Sequence, residues 1–319
     1  MKEPVEKSDG SLPSGSVSAD VLTSSRLAAG SWWRRRVYDY SELAKVRLSL
    51  LVIFVTAAGF CLGVGGPVDI LGLIHVLVGT SLVAFAANTL NQVIEREPDR
   101  LMHRTADRPL PSGRVSPAEA TAFGFVLAAV GIAQLSTLSN VLAASLATAT
   151  FLLYLLVYTP LKRRTPLNTL VGAVPGAIPP MIGFAAAAGT LDATAWVLFA
   201  MLFLWQLPHF FSIAWLYRED YARGGYKMLS VVDASGRAIS RQTVVFTILL
   251  LVCSLVPAWL GMVGRAYPLG ASLLGGGLLF VAIRFAQDRD RSSARNLLLA
   301  SIAYLPLVTM LLVLTHIPR

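Results

Sequence analysis

Apolar residues along this chain gather into nine runs, 48–64, 70–94, 117–137, 141–158, 167–188, 195–217, 243–262, 269–286 and 296–316, with short polar joints between them. Each is close to the roughly 20 residues that carry a helix across a hydrocarbon core. The pattern predicts an all-α protein, a polytopic bundle of nine transmembrane helices. The joints at Gly65 and Gly264 are so short that the runs flanking each must pair as antiparallel hairpins.

Composition agrees. Of 319 residues, 55% are hydrophobic and 14% charged, with a mean hydropathy of +0.63, too apolar for an ordinary soluble domain of this length. Charge adds an orientation. The tail through Arg47 holds eight Lys and Arg; the joints around the ends of runs two, four, six and eight hold five, three, five and four, together 25 of the 27 basic residues. The opposite side has only Arg265 and Arg319. The positive-inside rule places the N-terminus and the basic joints in the cytoplasm and the C-terminus outside. The pI near 9.9 therefore reflects orientation and a candidate anionic ligand, and is no argument for nucleic acid.

Residues 1–30 are rich in Ser, Gly and Ala and have no apolar face, which predicts a disordered tail over 1–37. Trp32, Trp33 and the arginines 34–36 read as an interfacial anchor closing it, with the membrane domain over 38–319. The tail contains no apolar core of a secretory signal. Cys61 and Cys253 sit in apolar runs without metal-ligand spacing, so neither a disulfide nor a metal role is expected.

Three basic joints carry more than topology needs. The first reads NQVIEREPDRLMHRTADRPLPSG from Asn91 to Gly113. Asn91, Glu95 and Asp99 recur every four residues and share one helical face. Hard oxygen donors followed by arginines suit Mg²⁺ and a diphosphate, with Arg100, Arg104 or Arg108 on phosphate oxygens. Pro98 predicts that the helix ends or kinks at Glu97 and that a turn delivers Asp99. The second joint, after run four, holds Tyr158, Thr159, Lys162, Arg163 and Arg164, and run five then reads GAVPGAIPPMIG. Its small residues allow close helix approach, and Pro175, Pro179 and Pro180 break the ladder, a pattern expected beside a cavity. The third is WQLPHFF followed by REDYARGGYKMLS, where Glu219 and Asp220 offer a second acidic site and Arg223 and Lys227 counter-charge. His209, among aromatics, reads as either a hydrogen-bonded core residue or a ligand.

Side by side these segments resemble the UbiA superfamily of intramembrane prenyltransferases, and within it the protohaem IX farnesyltransferase branch. The likeness rests on Asn91, Glu95, Asp99, Met102, Arg104, Thr105, Arg108, Pro109 and Gly113, then on Tyr158, Lys162, Arg163, Asn168, Gly172, Gly176 and Pro179. It finishes with Trp205, Gln206, Pro208, His209, Asp220, Tyr221, Gly225 and Met228. Two positions depart from the superfamily pattern: Glu95 stands where Asp is usual, and the third joint has no DxxxD.

The resemblance implies Mg²⁺-dependent ionisation of farnesyl diphosphate, attack by a vinyl group of haem B, addition of water and release of diphosphate, giving haem O. It places Mg²⁺ on Asn91, Glu95, Asp99 and Asp220, the diphosphate on Arg104, Arg108, Lys162, Arg163 and Lys227, and His209 against haem. It also implies a downstream haem A synthase or terminal oxidase assembly as partner, while the tail, with no evident transit peptide, favours a bacterial inner membrane location. Two rivals stay open. A quinone precursor or a chlorin would be an alternative acceptor, against which WQLPHF is the discriminating motif. A non-catalytic transporter or haem-handling protein would use broken helices too, but should carry polar groups along a path between both faces, and nearly all charge here lies on one.

Overall fold

The computed structural model describes residues 32–317; most of the expected disordered tail, 1–31, and the last two residues lie outside the described part, whereas its final residues 32–37 are helical. The chain divides into two units, 1–41 and 42–319. In the first, the described residues 32–41 are helical.

The second unit holds nine helices long and apolar enough to cross a membrane among the described residues: α1 Val46–Gly63, α2 Ile70–Ile94, α3 Pro117–Leu138, α4 Val141–Leu161, α5 Asn168–Ala188, α6 Ala193–Leu216, α7 Arg237–Trp259, α8 Ala266–Asp288 and α9 Arg291–Thr315. This is an integral membrane protein. All nine runs reappear. Several helices outrun their apolar windows at the basic end, α7 from Arg237 and α9 from Arg291, because hydropathy stops where lipid stops while the backbone ladder continues. Starts are set by side-chain caps: Asp69 accepts from Leu71, Ser116 from Glu119 with Pro117 following, Asn140 from Ala143, and Asp290 from Ser293, each satisfying an amide with no helical acceptor.

Lipid-facing surfaces carry large apolar side chains such as Leu71, Phe125, Leu273 and Leu314. The centre belongs to α5 and α6, which are 67% and 61% buried over their apolar windows, whereas no other span exceeds 39%. α5 is two segments, Asn168–Ala177 and Pro179–Ala188, joined at Ile178; the prolines break it as the sequence predicts. Glycine makes its packing possible. A Cβ at Gly59 would strike the Pro180 carbonyl and one at Gly183 the Thr56 carbonyl, so α1 and α5 meet backbone to backbone. Near its end α4 passes through a π turn over Leu153–Tyr158 before a last α turn, Thr159–Leu161, which the sequence did not announce. The hairpin at Gly264 is pinned to the end of α9, where Gly264 donates to Thr315 (2.8 Å) and Ile317 to Met262 (2.9 Å). Cys61 and Cys253 are free thiols.

Candidate active site

At the basic end the first joint does not unwind as Pro98 suggested. The break falls at Glu95, and a short helix, Arg96–Leu101, begins at once. Pro98 occupies its first turn, where a missing amide costs nothing. The Glu95 amide donates to Asn91 and the Asp99 amide to Glu95, both at 2.9 Å. The i, i+4 face therefore continues through the break, and helix rather than turn delivers Asp99.

Asn91, Glu95 and Asp99 line a chamber of about 230 Å³ together with Arg104, Arg108 and Lys162. Its carboxylates are already paired. Arg108 donates to Asp99 at 2.8 Å, and Lys162 lies 2.8 Å from Glu95 Oε1 and 3.1 Å from Oε2. Burial opposes the Lys162 charge, yet the Glu95 carboxylate together with the phenols of Tyr158, Tyr154 and Tyr226 outweighs it and holds the ammonium well above its usual value. The amide nitrogen of Asn91 donates to Thr159 Oγ1 (3.0 Å), which donates on to the Tyr154 carbonyl (2.8 Å); the amide oxygen is left free of that chain.

Among the described residues no group of three His, Cys, Asp or Glu side chains is placed to hold a metal. Two carboxylates and one amide oxygen nevertheless suit Mg²⁺, which takes one or two carboxylates and completes its shell with phosphate oxygens and water. With Mg²⁺ held by these oxygens, Arg108 and Lys162 would be free to turn to phosphate.

Sequence reasoning missed Lys45, which it counted only as a topological charge. Lys45 lines the same chamber from a left-handed backbone (φ 50°, ψ 47°) just before α1. Two α2 amides hold that break: Asn88 donates to the Ala44 carbonyl at 3.2 Å and Gln92 to the Leu43 carbonyl at 2.7 Å. The readable signal was Asn88 and Gln92 themselves, one turn apart in an apolar run, where polar groups need partners. Tyr158 and Tyr226 also face the chamber, their rings 4.7 and 6.0 Å from the Lys162 ammonium. One turn deeper on the same two helices, Asn88 and Tyr154 open an apolar cavity of about 140 Å³ lined by Val83, Ala87, Phe151, Gly176 and Pro179.

Four sequence candidates lie elsewhere. Asp220 faces a neighbouring cavity, paired with Arg223 and accepting the His103 amide (3.1 Å); these partners hold its carboxyl below the usual range although partial burial works against them. Arg163 and Lys227 are exposed, and neither lines the chamber. The Lys227 backbone knits two joints, its amide to Lys162 (2.8 Å) and its carbonyl to Asn168 (3.1 Å). His209 stacks on Trp205 at 4.8 Å, with Nδ1 2.9 Å from Ser301 Oγ. The Ser301 hydroxyl spends its proton on the Leu298 carbonyl (2.7 Å). Nδ1 is therefore the donor, and Nε2 keeps the lone pair a metal ligand requires.

Residues 51–305 match the UbiA prenyltransferase family. The chain belongs to that family. As a UbiA prenyltransferase it is an enzyme, and its relatives narrow the branch. It is 49% identical over 285 residues to the protoheme IX farnesyltransferase of Solibacter usitatus (strain Ellin6076), covering 86% of this chain and 98% of that one. Among solved structures it superposes on a digeranylgeranylglyceryl phosphate synthase with TM-score 0.73 at 18% identity, covering 88% of this chain and 98% of that one. It also superposes on a UbiA homologue from Archaeoglobus fulgidus bound to DMAPP and Mg²⁺, with TM-score 0.62 at 14% identity, covering 86% and 99%. At those identities the structures establish the fold.

Proposed function

We propose that this chain transfers the farnesyl group of farnesyl diphosphate to a vinyl group of protohaem IX, with addition of water, giving haem O and diphosphate. The observation that carries the reading is the chamber: paired acids and cations at its polar end, and an apolar cavity one turn deeper on α2 and α4 that suits an isoprenoid chain. The likeness to protoheme IX farnesyltransferases supports the acceptor.

Asn91, Glu95 and Asp99 hold Mg²⁺, which supplies Lewis-acid stabilisation of the departing diphosphate. Arg104, Arg108, Lys162 and Lys45 receive its oxygens. The bond from farnesyl C1 to oxygen breaks, and its electron pair leaves with the diphosphate. The terminal vinyl carbon then bonds to C1, and water captures the cation left beside the macrocycle, losing a proton. Aromatic faces at Tyr158 and Tyr226 favour an allylic cation, and burial of the chamber keeps water from it until the carbon–carbon bond has formed. His209 is assigned to haem through its Nε2, Arg163 and Lys227 to diphosphate capture at the surface, and Asp220 to bracing the His103–Arg104 segment. The protein belongs to a bacterial inner membrane, with the N-terminus and basic joints cytoplasmic and the C-terminus outside; its product feeds a haem A synthase or an oxidase assembly.

The test is incubation of membranes containing the protein with protohaem IX, farnesyl diphosphate and Mg²⁺, reading the haem by mass. A haem gaining one farnesyl group and one water is expected. Unchanged protohaem alongside prenylation of a quinone precursor would overturn the acceptor.

A further inference from the structure

A second cavity, about 430 Å³, lies against the chamber and shares a wall with it. His103 and Asp220 face the cavity, whereas their chain neighbours Arg104 and Tyr221 face the chamber. Arg104 packs over the ring of Tyr217, which lines the cavity, at 4.8 Å and over that of Tyr221, which lines the chamber, at 5.8 Å, and so lies where the two spaces meet.

Four arginines converge on this cavity from three parts of the chain: Arg218 and Arg223 after α6, Arg289 after α8, and Arg291 opening α9. Its floor is Trp215, whose indole donates to the Arg289 carbonyl (3.0 Å) and meets Phe285 edge-on. Gly236 fits against that indole only because it lacks a Cβ. The Arg218 guanidinium carbon lies over the same ring, 4.8 Å from its centroid. Three acids line the cavity as well, and two are engaged: Asp220 with Arg223 and the His103 amide, Asp290 capping α9 through the Ser293 amide (2.7 Å). Arg223 is held by Asp220, and Arg289 donates to the Ser235 carbonyl (3.2 Å). Arg218 and Arg291 have no carboxylate within ion-pair distance among the described residues, although topology alone would let them point anywhere into water. Two guanidiniums beside a fixed aromatic floor form a receptor for carboxylates or phosphates.

We propose that this cavity binds the two propionate carboxylates of the acceptor and so sets which edge of the macrocycle enters the chamber. The proposal rests on the function given above. Protohaem IX carries its vinyl groups on one side and its propionates on the other. Presenting a vinyl to the allylic carbon therefore turns the carboxylates away from the chamber, and they need cations once out of water. The phosphate of an anionic lipid shares this chemistry.

The experiment compares protohaem IX with its dimethyl ester, which keeps the vinyl groups and loses both charges. In the Arg218→Gln/Arg291→Gln protein, the KM for protohaem should rise about tenfold or more, as for lost charge-assisted hydrogen bonds. The KM values for the ester and for farnesyl diphosphate should stay put, the latter showing that the protein is folded; Arg218→Lys/Arg291→Lys should recover part of the loss. An equal defect with acid and ester, or none with either, would overturn the proposal. Repeating the assay in nanodiscs with and without phosphatidylglycerol separates the sources: a defect that follows the anionic lipid and not the acceptor's carboxylates assigns the cavity to a headgroup and overturns it too. If the unsubstituted protein prenylates neither haem, the functional reading fails on its own. Binding of acid and ester, followed by haem absorbance, then tests the cavity, and no preference for the acid would sink it.

Discussion

On the proposed function Glu95 serves a metal ion while paired with a lysine, and the exchange between those partners is where single residues matter most. Its carboxylate lies 2.8 Å from Lys162. Glu95→Gln keeps the shape, removes the charge that attracts the cation and strands a buried ammonium. We expect kcat/KM to fall about 100-fold or more, roughly 2.7 kcal/mol of transition-state stabilisation; activity within threefold of the parent, at saturating Mg²⁺, would remove Glu95 from the metal site. Among the described residues Lys45 has no such partner. Burial, with the charges of Arg108 and Lys162, brings its ammonium down to about 7 against the opposing pull of Glu95 and Asp99. An ammonium half charged in the empty chamber and fully charged against diphosphate takes up a proton on binding. Donor affinity is then greatest below pH 7 and weakens as pH rises above it, by up to about tenfold per unit for one proton. The KM for farnesyl diphosphate across this range measures the effect, and Lys45→Arg should flatten it. A flat profile in the unsubstituted protein would detach Lys45 from the donor.

At the scale of elements, backbone approach does what side-chain volume does in a soluble core. A Cβ added at Gly59 meets the Pro180 backbone, which cannot swing aside. Gly59→Ala should cost about 1–3 kcal/mol, seen as earlier thermal unfolding in detergent. Gly277→Ala, on α8 with no neighbour within 4 Å, is the control and should unfold no earlier than the parent; equal losses at both would mean that α1 and α5 do not touch there. This contrast also marks what the sequence could and could not say. Runs of apolar residues announce spans, and the prolines of α5 announce its break, because hydropathy and missing amides are local properties. Pro98 misled, since its effect depends on where a helix starts, and the restart after Glu95 moved it from a terminus to a first turn. Lys45 was illegible for a related reason: its direction comes from a left-handed residue braced by Asn88 and Gln92 across 40-odd positions of chain. Asp220 reads as a companion to Glu95 and Asp99, yet which side of a wall a residue faces is decided by a turn, not by a motif.

Over the whole molecule, chemistry is confined to one end of the bundle. Chamber and arginine cavity both form from the joints that carry the basic residues, while the other end holds short turns such as that around Gly66. A diphosphate cannot cross lipid, so on the proposed function the end that binds it must face the compartment that supplies it, and the positive-inside rule predicts that end to be cytoplasmic. The arrangement makes a sharp expectation for thiol labelling. With Cys61 and Cys253 replaced by alanine, a single cysteine is placed at Ser112, exposed in the first basic joint, or at Gly66, exposed at the opposite end. A membrane-impermeant maleimide should label Gly66→Cys in intact cells and reach Ser112→Cys only after the membrane is opened. The reverse order would put the active-site joints outside and require the prenyl donor to come from there, while labelling of both in intact cells would mean that the joints are reached through the bundle and that the chamber opens to both faces.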